Sequence, residues 1–388
     1  MKKFLIFWIF IYIFTAFASG KKSFNFAYFD KMLEVSNGDS FLVSPLLFSD
    51  HLEILSKFAS GKALKELEAL FNSYEFFEYN PSQIIIKDHG SRINFIDKRV
   101  AIFASEDFFK KIKDLDIIDS VFSKINHVEN LSENQTEQIN NLIEKHTLGM
   151  GEKIDINLPT EKLDLLLFSN LYLKCFWERV YDRSKKMMFY RSVSDALNVE
   201  FLYKDIHSFY FENEKFIFVF DNFFDSGGVL FAKPKNGYSF RDLTEGEFDE
   251  FFHKATRKKL RIKMPAFEIF TKEKDSIEAI SKLGVKDIFS LNAELVLGLK
   301  NFVQTNSQNK IRFDRNGVVA SATNLYTSIF GGGKKPDVFS LNEPFAFFVI
   351  GFNEYYRKFD IKSLSCKNII LEGVFTGKGD VKFLQYDD

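Results

Sequence analysis

Arg315-Asn-Gly-Val-Val-Ala-Ser-Ala-Thr-Asn-Leu-Tyr-Thr-Ser-Ile-Phe330-Gly-Gly-Gly-Lys-Lys335-Pro336 is the stretch on which the interpretation of this chain depends. Between Arg315 and Lys334 it contains neither a charged residue nor a proline, although 27% of the chain is charged. Its five β-branched residues favour a strand. Its end, three glycines followed by two lysines and a proline, is typical of an exposed loop. We therefore expect this segment to be a loop in one state of the protein and a strand in another.

Length, charge and cysteine content narrow the class of protein. The chain has 388 residues, enough for a large core, and nothing in the sequence argues for two domains. The formal net charge is −1, so composition predicts no nucleic-acid partner and no membrane partner. Two cysteines, Cys175 and Cys366, exclude a disulfide-dense scaffold. They can pair, or Cys175 can be a buried thiol, and we favour the thiol. We expect no metal and no cofactor, because no group of histidines and cysteines has ligand spacing.

One tetrapeptide raises the question of catalysis. Asp225-Ser226-Gly227-Gly228 is similar to the nucleophile motif of chymotrypsin-like proteases. A nucleophilic serine needs a histidine base oriented by a carboxylate, and none of the six histidines lies in the sequence context of that fold. A turn between two strands is the alternative for these residues. The sequence therefore predicts that the chain is not an enzyme.

The first residues have the composition of a leader. Lys2 and Lys3 precede an apolar run over residues 4–17, and small residues follow at 18–20. This pattern predicts a signal peptide over residues 1–19 with cleavage near 18–20, and a single domain over 20–388. Asn130-Leu-Ser132 and Asn134-Gln-Thr136 are glycosylation acceptors, which fits the same compartment. We therefore expect a secreted, extracellular protein.

Hydrophobic periodicity predicts helices and strands without a regular alternation of the two. This arrangement indicates the α+β class. Predicted helices cover residues 24–36, 51–58, 62–71, 107–124, 136–147 and 277–284, and predicted strands cover residues 41–45, 100–103, 165–173, 209–220, 228–233, 260–269 and 368–373.

Several motifs resemble segments of the serpin family. Asn170, Lys174 and Trp177 have the spacing of a serpin strand motif, although Cys175 stands where glycine is usual. Asn316-Gly-Val-Val-Ala-Ser-Ala-Thr323 resembles the proximal hinge of the serpin reactive-centre loop. Matches at residues 44–71, 260–267 and 344–373 extend the resemblance over nearly all of the chain after the leader.

The resemblance implies a fold and a mechanism. Helices surround a large mixed β-sheet and smaller sheets, and an exposed reactive-centre loop covers about residues 315–340. A target serine protease, or a cysteine protease, cuts the loop, which then inserts into the main sheet as a new strand. The inhibitor acts as a monomer. The resemblance assigns the hinge to Gly317, Val318, Ala320, Ala322 and Thr323, and the region where the sheet opens to Ser44, Asn170, Lys174 and Trp177.

The bond that is cut stays open between two groups of candidates. The family places it about fourteen residues beyond the hinge glycine, which indicates Gly331. Phe330 suits a chymotrypsin-like pocket, and Gly331 suits an elastase-like pocket. Lys334 and Lys335 suit a trypsin-like pocket with a longer inserted segment.

Departures from the family pattern support an alternative function, a non-inhibitory serpin-fold carrier, binding or interaction protein. Arg315 replaces an acidic residue of the hinge, and Val318-Val319 replaces a threonine and an acid. Leu47 stands where serine is common, and Glu343 where a basic residue is common. A basic cluster adds a further alternative, since it is either a solvated surface or a site for a polyanion such as heparin. This basic cluster comprises Lys254, Arg257, Lys258, Lys259, Arg261 and Lys263.

Overall fold

The structure is a computed structural model, and it describes most of the chain after the predicted leader. The described residues are 21–76, 95–106, 110, 127–130, 135–147, 163–224, 227–271, 273–290, 293–295, 302–307, 309–318, 336–351 and 361–386.

Helices form where apolar residues recur at helical spacing. The start of the second helix follows from its sequence, because Pro45 occupies the first turn and the Ser44 hydroxyl accepts a hydrogen bond from the Leu47 amide. No described helix is long and apolar enough to cross a membrane. The described helices are α1 (Phe24–Val35), α2 (Pro45–Phe58), α3 (Gly61–Ser73), α4 (Gln135–Thr147), α5 (Glu245–Lys254) and α6 (Glu273–Lys282).

The described strands form two large mixed sheets and one short parallel pair. In chain order they are β1 (Lys22–Ser23), β2 (Phe41–Val43), β3 (Tyr74–Glu75), β4 (Phe95–Ala104), β5 (His127–Asn130), β6 (Leu163–Phe176), β7 (Arg183–Ser192), β8 (Asp195–Glu212), β9 (Phe216–Asn222), β10 (Gly227–Pro234), β11 (Thr256–Pro265), β12 (Phe267–Thr271), β13 (Phe302–Ser307), β14 (Asn309–Phe313), β15 (Gly317–Val318), β16 (Asp337–Ser340), β17 (Phe345–Gly351), β18 (Ile369–Phe375) and β19 (Val381–Phe383).

The two sheets have different strand orders. The core sheet runs β16-β11-β8-β9-β10-β17-β18-β2, with β7 paired to β8. The hinge sheet runs β19-β12-β14-β15-β6-β4-β5, with β13 paired to β6. Helices and strands are therefore mixed along the chain, and the α+β prediction is confirmed.

The strands β17 and β18 of the core sheet are buried on both faces. Every residue of β17 and of β18 is buried, which explains why the sequence of β17 is a nearly continuous apolar run. One face packs against helices α1, α2, α3 and α5, and the other packs against the hinge sheet. Phenylalanine fills the space between the sheets, where for example the rings of Phe267 and Phe375 have centroids 4.1 Å apart. The hinge sheet therefore rests on a closely packed layer of aromatic side chains.

Two predicted strands are in fact two strands each. The strand predicted over 260–269 divides at Ala266, because β11 ends at Pro265 in the core sheet and β12 begins at Phe267 in the hinge sheet. The apolar pattern over residues 209–220 predicts a single strand, but β8 ends at Glu212 and β9 begins at Phe216. The Asn213 side chain causes the turn, because its Oδ1 accepts hydrogen bonds from the amides of Lys215 and Phe216, at 2.9 and 2.8 Å. The helix predicted over 107–124 lies outside the described residues, apart from Lys110.

Candidate functional site

The first residues of the expected loop already lie in the hinge sheet. Gly317 and Val318 form β15, which lies between β14 and β6. Val318 pairs with Phe313 on β14 and with Cys175 on β6, and Gly317 pairs with Phe176. Both residues are buried. The loop thus starts as a two-residue strand within the sheet that it is expected to enter.

Further along β6 from β15, another strand closes the sheet. Six residues of β13, Phe302–Ser307, pair in parallel with β6 over 163–169. The strands β13 and β14 follow one another in the chain. β13 pairs directly with β6, whereas β14 is separated from β6 by β15. A longer β15 would run antiparallel to β6 into the β13–β6 pairing. The loop can therefore extend along β6 beyond residues 170–174 only if that pairing breaks.

Glycine is required at position 317 for a steric reason. A Cβ atom added there would lie 1.9 Å from the backbone oxygen of Cys175 on β6. The obstacle is backbone, so it cannot be relieved by a side-chain rotation. The prediction that Gly317 belongs to the hinge stays a prediction, and the close approach to β6 gives its physical reason.

Asp314 shapes the turn between β14 and β15. Its Oδ1 accepts hydrogen bonds from the amides of Asn316 and Gly317, at 2.8 and 3.2 Å, and its own amide donates to the Gly317 carbonyl at 3.0 Å. Burial raises the pKa of Asp314, while these amides and the Arg312 guanidinium act in the opposite direction. Asp314 was not among the predicted site residues, although Asp-Arg-Asn-Gly over residues 314–317 is a recognisable turn signal.

Trp177 contacts this turn from the side of β6. The fully buried indole donates from Nε1 to the Asp314 carbonyl at 3.0 Å, and the Trp177 amide donates to the Asn316 carbonyl at 2.9 Å. Tyr181 adds a third bond, since its amide donates to the Arg315 carbonyl at 2.9 Å. Three successive carbonyls of the turn are thus bound by residues 177–181.

A buried charge cluster, whose residues were not predicted from the sequence, lies behind residues 177–181. Lys204 Nζ lies 2.8 Å from Asp221 Oδ1, and both side chains have 0% exposure. The Tyr181 hydroxyl donates to Asp221 Oδ2 at 2.7 Å. Burial lowers the pKa of Lys204 and raises that of Asp221, because each charged form loses its hydration, and the attraction between the two groups opposes both shifts. We call Tyr181, Lys204 and Asp221 the buried charge cluster.

The remaining residues predicted for the opening region lie apart from the turn. The Ser44 hydroxyl donates to the Ile370 carbonyl at 3.0 Å, so it joins α2 to β18. Asn170 lies in β6 and pairs with Arg99 of β4. Lys174 is half-buried, with Nζ 5.5 Å from the centroid of the Phe176 ring. Of the predicted residues that the structure describes, Gly317, Val318 and Trp177 come together.

Most of the expected loop lies outside the described residues. The hinge residues Ala320, Ala322 and Thr323 belong to this part, as do the candidates for the cut bond, Phe330, Gly331, Lys334 and Lys335. The chain is described again from residue 336, and β16 pairs in parallel with β11 in the core sheet. The loop therefore connects the hinge sheet to an edge of the core sheet. Asn130 ends β5, and Asn134 lies outside the described residues.

The residues that depart from the family pattern have specific contacts. Arg315 Nη2 donates to the Ser184 hydroxyl at 2.6 Å, and the guanidinium lies 4.5 Å from the centroid of the Tyr386 ring. Glu343 forms an ion pair with Lys233, with an Nζ to Oε2 distance of 2.8 Å. Leu47 is buried.

Both cysteines are free. Cys175 is a fully buried thiol of the hinge sheet, as favoured by the sequence, so the alternative of a Cys175–Cys366 disulfide is wrong. Burial raises the pKa of Cys366 to about 12, so this thiol stays protonated.

Carboxylates balance part of the basic cluster. Lys258 pairs with Asp337 at 2.8 Å, and Lys254 pairs with Glu250 at 2.6 Å. Arg261 binds both oxygens of Asp205, at 2.6 and 2.8 Å. The cluster is therefore less positive than its sequence suggests.

Solved structures with the same fold include proteins of different activity. Human thyroxine-binding globulin has a TM-score of 0.70 and 13% identity, covering 92% of this chain and 96% of that one. Serpin48 of the insect Tenebrio molitor has a TM-score of 0.62 and 18% identity, covering 90% and 94%. Native protease nexin-1 with heparin has a TM-score of 0.64 and 17% identity, covering 90% and 96%. At these identities the likeness shows the fold alone.

Comparison of the sequence gives the family. A search of curated proteins finds no match. The profile of the family described as "Serpin (serine protease inhibitor)" matches residues 19–352, which is most of the chain. This match agrees with the fold that the solved structures share with this chain. The chain belongs to the serpin family.

Proposed function

We propose that this chain is a secreted inhibitor of serine proteases that acts as a suicide substrate. The protease serine attacks a carbonyl of the loop, an ester bond to the protease forms, and the peptide bond breaks with release of a new amino terminus. The loop segment before the break then extends β15 between β14 and β6. The ester is trapped because the attached protease is carried along with the inserting strand.

The observation that carries this proposal is the two-residue strand β15. Starting a strand is the entropically expensive step, and here Gly317 and Val318 are already paired on both sides. Residues 316–333 contain no charge and no proline, so each can enter a sheet without burying an ion or losing a ladder hydrogen bond. Extension replaces the β13–β6 pairing with a longer strand that is paired on both sides.

A protease panel tests the proposal. We expect at least one chymotrypsin-like, elastase-like or trypsin-like protease to form a complex with the chain that survives SDS. Mass spectrometry of the released C-terminal peptide then identifies the cut bond. We expect the cut after Phe330 or Gly331 in preference to a cut after Lys334 or Lys335. If every protease that cuts the loop does so without forming a complex, the proposed inhibition is refuted. A complex formed only with cysteine proteases would correct the target class.

The second candidate function is that of a non-inhibitory binding protein. The contacts of Arg315 favour it, because the bond to Ser184 and the stacking on Tyr386 hold the residue next to the hinge in place. Thyroxine-binding globulin, a structural neighbour, shows that the fold is compatible with ligand binding. The melting temperature of loop-cleaved protein separates the two functions. An inhibitor gains many degrees when the freed strand inserts, whereas a non-inserting protein gains none.

Secretion, glycosylation and polyanion binding complete the proposal. The composition of residues 1–20 supports secretion, and Asn130→Gln and Asn134→Gln variants should lose a glycosidase-sensitive mass shift if both acceptors are used. For the basic cluster, the ion pairs of Lys254, Lys258 and Arg261 predict weak binding. We expect early elution from a heparin column, and retention at high salt would show a stronger polyanion site.

A further inference from the structure

The hinge turn is bound by a segment that has no regular structure of its own. Residues 177–181 follow β6 and donate three hydrogen bonds to the carbonyls of Asp314, Arg315 and Asn316. We call residues 177–181 the clamp segment. Its donors fix the position of the turn relative to β6, and therefore the register in which Gly317 and Val318 enter the sheet.

The clamp segment is in turn held by Lys204. The ammonium donates to the Arg179 carbonyl at 2.6 Å and lies 2.8 Å from Asp221 Oδ1. It also lies 4.8 Å from the centroid of the Trp177 ring and 4.2 Å from that of the Tyr181 ring. A single charge on β8 thus contacts three of the five residues of the clamp segment.

Asp221 adds a second connection from β9. Its Oδ2 accepts from the Tyr181 hydroxyl at 2.7 Å, and the neighbouring Asn222 carbonyl accepts from the Glu178 amide at 2.9 Å. The Phe224 amide donates to the Phe176 carbonyl at 2.9 Å. The clamp segment is therefore fixed to the core sheet on one side and to the hinge turn on the other.

A buried ion pair of this kind adds little net stability compared with an apolar pair of similar size, because both ions lose their hydration. The ion pair does fix the orientation of the groups that it contacts. Methionine and leucine at positions 204 and 221 would fill the space, but they would donate nothing to the Arg179 carbonyl and accept nothing from Tyr181. The contribution of the cluster is therefore to orientation more than to stability.

We propose that Lys204, Asp221 and Tyr181 are positioning residues for loop insertion, which hold the clamp segment against the hinge turn so that Gly317 and Val318 remain in the sheet before the loop is cut. The inference rests on the proposed inhibitory function and extends it to residues outside the loop. A strand that is already started extends residue by residue, whereas a released hinge must first close a loop again. Loss of the cluster therefore slows insertion.

The test compares three variants with the wild-type chain. The double variant Lys204→Met/Asp221→Leu removes both charges and leaves neither ion unpaired. Tyr181→Phe removes only the hydroxyl bond to Asp221. Lys215→Met is the matched control, because Lys215 precedes β9 at the end opposite Asp221 and loses an ion pair with Glu247 of 2.7 Å.

Hydrogen exchange measures the position of the hinge directly. We expect the amides of residues 316–318 to exchange at least about tenfold faster in the double variant, and less so in Tyr181→Phe. Urea unfolding should show that the double variant is as stable as the wild type. Faster exchange at the hinge with unchanged global stability distinguishes positioning from a structural role. Unchanged hinge exchange, or a parallel increase at all amides, would overturn the inference.

Insertion is measured after cutting the loop with trypsin. The probe is the rise in melting temperature with time after cleavage, which we expect to be about tenfold slower in the double variant and unchanged in Lys215→Met. If the wild type shows no rise, the proposed inhibitory function fails, and the exchange experiment still decides the role of the cluster. If the double variant inserts at the wild-type rate while its hinge exchanges faster, the cluster does not control insertion and the inference fails.

Discussion

Two buried polar regions of this molecule differ in how their charges are satisfied. In the buried charge cluster, Lys204 and Asp221 contact each other, a carbonyl, a hydroxyl and two aromatic faces. The second region consists of His51 on α2 and Glu372 on β18, which are equally buried, at 1% exposure each. Neither ring nitrogen of His51, nor Oε1 of Glu372, has a hydrogen-bond partner among the described residues.

The difference shows that burial alone does not determine what a polar residue does. A paired group holds its neighbours in place, so the cluster can orient the clamp segment. A group without partners loses its hydration and gains no hydrogen bond in exchange, which lowers the stability of the native state. Burial lowers the pKa of His51 to about 4 and raises the pKa of Glu372 well above its ordinary value. His51 is therefore neutral at pH 7, and burial favours the neutral form of Glu372.

The largest expected effect comes from removing the counter-ion of Lys204, which leaves a buried group without its partner, as His51 is. Asp221→Leu leaves the Lys204 ammonium buried without its counter-ion, and we expect a loss of about 3–5 kcal/mol in the free energy of unfolding. Adding Lys204→Met should restore most of that loss. Urea denaturation of the two variants measures both values. A loss below about 1 kcal/mol in Asp221→Leu would show that Lys204 gives up its proton at little cost.

The titration of His51 gives the next effect. The unfolded state binds a proton below about pH 6.5, whereas the native state does so only below about pH 4, so the free energy of unfolding falls as the pH drops through this window. The full fall is roughly 3 kcal/mol, from about 1.4 kcal/mol per pH unit. Denaturation curves between pH 7 and 4 measure it, and His51→Leu should remove this part of the slope. A wild-type curve without the slope would mean that His51 has a partner in solution.

Glu372 offers a stabilising substitution. Glu372→Met removes an unmatched buried carboxyl, and we expect the free energy of unfolding to rise by about 2 kcal/mol. Glu372→Gln is the control, because it keeps a polar group of the same size and should gain less. The thermal midpoints of the two variants give the order. Equal or lower stability of Glu372→Met would indicate that the carboxyl has a bound partner such as water.

The smallest effect concerns a paired carboxylate at the surface. The Arg261 guanidinium, with Arg183, lowers the pKa of Asp205 to about 2, so its contribution is present above about pH 3.8 and is lost as the pH falls towards 2. The side chain is 25% exposed, so we expect Asp205→Asn to cost below about 1 kcal/mol at pH 7. Denaturation in low and high salt measures it. A cost like that of Asp221→Leu would show that exposure makes no difference to a charge pair here.

The sequence predicted the secondary structure where periodicity or turn residues were local. The helices that begin near residues 24, 61 and 135 and the strand around 165–173 are confirmed. The strand over 209–220 was wrong because its apolar residues continue through the turn at Asn213. Trp177 and Gly317 were found because each belongs to a contiguous motif. Asp314 lies two residues before the hinge motif, which begins at Asn316, and was not predicted.

The sequence by itself indicated the family, the class of fold and the segment that we propose to insert, because these depend on apolar runs, glycine and the absence of charge along one stretch. Only the tertiary structure decided that Lys204 and Asp221 meet, and that Gly317 and Val318 already occupy the sheet. From the sequence alone, a charged residue such as Lys204 on β8 is expected at the surface. Its burial becomes evident only when the neighbouring strand, the clamp segment and the hinge sheet are placed around it. The partners of a buried charge come from distant parts of the chain, so its energy and its role are properties of the packing.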